Sequence, residues 1–120
     1  MQRRTVLMAL IAMIPGRRST RTTNGENLQH SMQQETGWAA AEVAHHCRQS
    51  SRASSAIRLC QLLSDRCKKN PPVSPALVQA TLDTCIRVRD QLPPAARNVG
   101  FLRSVANFQR LAEHLVQTLT

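Results

Sequence analysis

The chain has 120 residues, enough for one small domain. It is 42% hydrophobic but has only two Phe, one Trp and no Tyr, so a core must be built from aliphatic side chains. Four Gly and few β-branched runs favour helix over sheet, and the net charge of +9 excludes an acidic protein class.

The charge is uneven. Residues 1–25 hold five Arg and no acid. Arg3 and Arg4 precede an apolar block at 6–14, which Pro15 and Gly16 end, and Arg17, Arg18 and Arg21 follow. The block is too short to span a bilayer, which takes about 20 residues. Three readings compete. A secretory signal accounts for the basic start and the apolar block, although three Arg follow and no Ala-x-Ala site does. Arg3, Arg4 and Leu7 resemble a twin-arginine signal, with departures at Gln2 and Val6. A mitochondrial transit peptide accounts for the Arg and Ser/Thr content without acids. A flexible basic end is the third reading. An intracellular location is slightly preferred, with mitochondrial or exported as the alternatives.

Residues 26–35 are polar and read as a linker or a frayed helix start, leaving 36–120 as the helical domain. The first helix is expected at about 38–49. Ala40, Val43, Ala44 and Cys47 form its apolar side, and Trp38 is expected to anchor it in the core. A Ser-rich break follows, with Ser54 or Ser55 as the expected cap of a second helix over 56–69. Ala56, Leu59, Cys60, Leu63 and Cys67 share one face of it. Asn70, Pro71 and Pro72 stop that helix. Ser74 and Pro75 start a third, 75–91, as cap and first helical residue. Val78, Leu82, Cys85, Val88 and Leu92 make its stripe. Pro93 and Pro94 end it, and a last helix is expected from residue 95 or 96 to 119.

That last segment is the most regular in the chain. Phe101, Val105, Phe108, Ala112, Leu115 and Leu119 recur in steps of four and three, which keeps them on one side of an α-helix. Leu111 and Val116 widen the stripe. Such a stripe must be buried, within the chain or against a partner. Short connections suit antiparallel neighbours. The expected fold is all-α: a three- to four-helix up-down bundle behind a flexible basic N-terminal segment.

The four cysteines are spaced by 13, 7 and 18, which matches no common zinc or redox motif. All four fall on apolar stripes, and buried reduced thiols are the favoured reading. Cys60 and Cys67, about two helical turns apart on one helix, are too far apart to pair, so any disulfide must cross between helices. His46 and Cys47, with Cys60, Cys67 and Cys85 across the bundle, are the candidates for a soft metal. His45 completes the cluster, but three consecutive helical residues cannot all face one ion. Solvent-facing imidazoles beside a buried thiol are the favoured alternative, and no metal is assigned.

Cys47 with His46, or Cys85 with a distant His, can be written as a nucleophilic dyad, but no orienting group or Gly-rich turn accompanies either. No catalytic residue and no cofactor is assigned, and an enzyme is not expected. Arg48, Arg52, Arg58, Arg66, Lys68 and Lys69 cluster about the second helix. With the basic head they offer weak, non-specific contact to nucleic acid or acidic lipid. Without interleaved aromatics they do not form a dedicated reader.

The expected function is a non-enzymatic helical interaction module or small subunit of a larger assembly. The expected face is Phe101, Val105, Phe108, Leu111, Leu115, Val116 and Leu119. It would be buried internally, or shared with another protein or a second copy. The alternative is an exported or organellar thiol- or soft-metal-binding helical protein.

Overall fold

The computed structural model describes residues 16–48 and 53–120, with side chains from residue 27 onward except that of Ala96. The apolar block at 6–14 and all readings of it as a targeting signal lie outside the described residues. So does the expected end of the first helix at Gln49.

The described residues are all-helical. Helix α1 spans Gly16–Cys47, α2 Ser54–Cys67, α3 Pro75–Gln91 and α4 Val99–Leu119, with a 3-10 turn at Pro94–Ala96 between the last two. Helix α1 packs on α2 and α4, and α3 packs on α2 and α4. The four therefore enclose one core, with neighbours in sequence also neighbours in space. No described helix is long and apolar enough to cross a membrane.

The core is aliphatic, as the composition requires. Phe108, Leu63, Leu82 and Leu115 are its largest fully buried apolar side chains, and Val43, Val78 and Val105 fill between them. Buried alanines at Ala39, Ala40, Ala44, Ala53, Ala56 and Ala112 let the helices approach closely. The expected stripe of α3 is buried throughout, from Val78 to Leu92. Buried hydroxyls are satisfied within their own helices: Thr36 Oγ1 donates to Met32 O, Thr81 Oγ1 to Leu77 O and Thr84 Oγ1 to Ala80 O.

Helix starts follow local chemistry. Ser74 caps α3, its Oγ accepting from Leu77 N at 3.4 Å, with Pro75 at the first helical position. Asn98 caps α4, its Oδ1 accepting from Phe101 N at 2.7 Å. The last helix thus begins at Val99, later than residue 95 or 96. Pro94 does start a helical turn, but it closes as a 3-10 turn that ends at Ala96. At α2 the residue before the helix is Ala53, and no side chain caps it. Ser54 and Ser55 lie inside the helix, so neither is the cap.

Two further expectations are corrected. Residues 26–35 are helix, not linker, because α1 runs through them without a break. Gln33 and Thr36 sit buried on its inner side, and Met32 packs partly against the core. Trp38 is not a core anchor: it is 63% exposed. Gly37, one position earlier, holds the inward place instead. A Cβ there would stand 2.6 Å from Cys67 Cβ, so the missing side chain is what lets α1 and α2 meet.

Candidate functional site

The expected face of α4 is mostly internal. Phe101, Val105, Phe108 and Leu115 are buried against the rest of the chain, and Leu111, Val116 and Leu119 are partly buried against the same core. The stripe closes the bundle. Among the described residues the large apolar side chains left in water are elsewhere: Leu28 and Trp38 on α1, Leu62 on α2, Val99 and Leu102 on α4.

Trp38 borders a shallow cavity of about 180 Å³ over the seam between α1 and α2. Gln34, Gly37, Ser64 and Lys68 line it with the indole, and Cys67 forms part of its floor. Gly37 sets the floor, since any side chain there would meet Cys67. The indole stands beside a seam that the small residues keep low. Sequence reasoning missed this position because a lone Trp at an expected helix start reads as a core anchor. The helical phase carries the correct signal. Gln33, Thr36, Ala40, Val43 and Cys47 step by three and four, and Trp38 falls off that stripe.

A second cavity of similar volume lies where α2 turns into α3, lined by Arg66, Lys69, Pro71, Pro72, Val73, Ser74 and Leu77. Gln33 holds the backbone of three of these residues, Lys69, Pro71 and Val73. Gln33 Nε2 donates to Cys67 O, Lys69 O and Pro71 O at 3.4, 3.1 and 3.2 Å, and its Oε1 accepts from Val73 N at 2.9 Å. The exposed end of α3 is held similarly. Arg97 Nε donates to Leu92 O at 2.7 Å and Nη2 to Asp90 O at 3.0 Å, satisfying carbonyls at the helix C-terminus.

The proposed metal candidates do not converge on one point. His45 is exposed. His46 is half-buried: its Nε2 is 3.8 Å from Glu42, and its ring lies over Gly100, where an added Cβ would approach Cε1 to 2.7 Å. Cys67 lies on the α1 side of α2, against Gly37. Only Cys60 and Cys85 meet as thiols, Sγ to Sγ at 3.4 Å across the seam between α2 and α3. Among the described residues no group of three or more His, Cys, Asp or Glu is placed to hold a metal ion.

The thiols are all buried, and burial disfavours their charged form. It raises Cys67 to about 11 and Cys47 to about 11, the latter also through the nearby Cys85. Cys60 is raised as well, first by its contact with Cys85 and then by burial. These shifts run opposite to those that activate a nucleophilic cysteine.

Comparison with protein-family models, with curated proteins and with solved structures found no match.

Proposed function

We propose that the chain is a non-enzymatic helical interaction module, a small subunit that binds another protein or a second copy of itself. The helices then run up and down in chain order, as connections of about seven residues between packed neighbours favour. The observation that carries the reading is the exposure of Trp38. The chain has three aromatic side chains. Two, Phe101 and Phe108, are in the core, while the largest is left 63% in water beside a shallow seam. An exposed indole with a cavity at its edge has the character of an interface anchor, since Trp is enriched among the few residues that dominate binding. This moves the expected contact from the α4 stripe, whose apolar residues close the core, to the α1–α2 face. The raised Cys47 thiol also weighs against a Cys–His nucleophile.

The test uses Trp38 as its own reporter. Sedimentation across a range of concentrations reads self-association, and Trp emission reads burial of the indole. Self-association should shift the emission to the blue, and Trp38→Ala should abolish it while leaving the melting temperature almost unchanged. For a hetero-partner, cross-linking in native cell extract with Trp38→Ala as control reads the same face. A chain that stays monomeric, and whose cross-linked partners are the same for Trp38→Ala, would falsify the reading.

The thiol-protein alternative is favoured by one observation, the Cys60–Cys85 contact. Basic residues in 1–25 would add salt-sensitive attraction to phosphate or acidic lipid in either case.

A further inference from the structure

We propose that Cys60 and Cys85 are a disulfide-forming pair that staples α2 to α3. Both side chains are essentially without solvent exposure, at 0% and 1%. Their sulfurs stand 3.4 Å apart. A disulfide bond is about 2.05 Å, so roughly 1.4 Å of approach closes it. Rotation about the two Cα–Cβ bonds is the movement that would supply this approach. The two positions are 25 residues apart in sequence. Closing that loop restricts the unfolded chain, which is the main source of a disulfide's stabilisation in the chain-entropy account.

The other thiols do not compete. Cys67 is two turns from Cys60 on the same helix and faces Gly37 on α1. Cys47 lies near the pair, but among the described residues the sole thiol–thiol contact is Cys60 with Cys85. A tetrahedral soft-metal site needs two further ligands, and among the described residues no group of three or more His, Cys, Asp or Glu is placed to hold an ion.

The oxidant is a low-molecular-weight disulfide such as oxidised glutathione. One cysteine of the pair, as thiolate, attacks a sulfur of that disulfide. A mixed disulfide forms and one small thiolate leaves. The second cysteine, also as thiolate, attacks the protein sulfur of the mixed disulfide and expels the second small thiolate. The two protein thiols lose two protons and two electrons in all, and the small disulfide becomes two thiols. Because both sulfurs are sealed in the core, exchange proceeds through an opened or folding chain, and the native packing then holds the bond. The stapled state thus forms in an oxidising compartment and persists once folded.

This inference is independent of the Trp38 interface, and either can fail without the other. The full chain is incubated with oxidised and reduced glutathione in mild urea, returned to buffer, blocked with iodoacetamide and digested with trypsin. Trypsin cuts at Arg58, Arg66, Lys69 and Arg87, which separates Cys60 in 59–66 from Cys67 and from Cys85 in 70–87. The expected product is 59–66 linked to 70–87, with Cys47 and Cys67 alkylated. The oxidised chain should melt about 5–10 °C higher than the reduced one, and dithiothreitol should reverse the gain. A Cys47→Ala/Cys67→Ala variant should keep the gain, and Cys60→Ala or Cys85→Ala should lose it. A link through Cys47 or Cys67, glutathione adducts without the link, or a linked chain that melts no higher would overturn the proposal. So would copper or zinc retained by the purified chain and released by Cys60→Ala.

Discussion

Gln33 binds Val73 across forty positions of sequence, its side-chain Oε1 accepting from the Val73 N–H at 2.9 Å. The same amide donates back to the end of α2 and to the connector beyond it. One buried side chain of α1 therefore fixes the path from α2 to α3. Gln33→Ala leaves a buried N–H and several carbonyls without their partner, and should cost about 1–3 kcal/mol. Gln33→Glu should cost more near neutral pH, because a carboxylate cannot donate to three carbonyls. Urea unfolding orders the three proteins. If Gln33→Ala unfolds at the parent's midpoint, the clamp carries no stability.

Gly37 and Gly100 are both helical glycines, yet they should respond oppositely to a methyl group. Alanine in a helix interior is worth about 0.5–1 kcal/mol over glycine. At Gly37 the new Cβ meets Cys67 Cβ at 2.6 Å, a group attached directly to the backbone of α2. The helices must part, and the overpacking cost of about 1–3 kcal/mol should outweigh the helical gain. At Gly100 the obstacle is the His46 ring, the far end of a rotatable side chain. Gly100→Ala should be milder, and in a His46→Ala background it should stabilise. A thermal-melt double-mutant cycle measures that coupling, and additive effects at 46 and 100 would disprove it.

These two contacts show which parts of the fold were legible. Helices α2, α3 and α4 are written as apolar stripes punctuated by proline, and Ser74 with Pro75 marks a start in plain terms. The N-terminal part of α1 is not, because its inward positions include Gln33, Thr36 and Gly37, a polar, hydroxyl and glycine series that carries no apolar stripe. Their stripe has the right spacing but the wrong polarity: Gln33 and Thr36 are buried because backbone carbonyls accept their protons, which no hydropathy pattern contains. Trp38 was misplaced for the converse reason, a large apolar residue off the stripe. The placement of all four cysteines on buried stripes was legible. Which two would touch depended on how α2 and α3 pack, and that is a tertiary fact.

The three aromatic residues divide cleanly between core and surface. Phe108→Ala should cost about 3–5 kcal/mol, since Phe108 is the largest fully buried side chain. Trp38→Ala should change stability by no more than about 0.5 kcal/mol. Phe108→Asp should prevent folding altogether, since a buried charge there has no partner. Circular dichroism during urea unfolding separates the cases. Equal costs at 38 and 108 would mean that the indole is packed.

Alkaline pH should destabilise the reduced fold through its thiols. Cys47 and Cys67 rise from 9.0 to about 11 in the folded chain. Below pH 9 both states hold these protons, and the shift has no effect. Between about pH 9 and 11 the unfolded chain loses them first, so it binds fewer protons than the native one and stability falls with rising pH. Above 11 the loss levels off, at roughly 2–3 kcal/mol for each thiol as an upper bound. Other groups titrate in this range, so the informative quantity is a difference between proteins. In reducing buffer, the gap between Cys67→Ala and the parent should narrow as pH rises from 8 to 10.5. That variant no longer has the thiol whose ionisation favours unfolding. A gap in urea midpoint that stays constant over this range would show that Cys67 titrates alike in both states, and that its burial does not govern its proton.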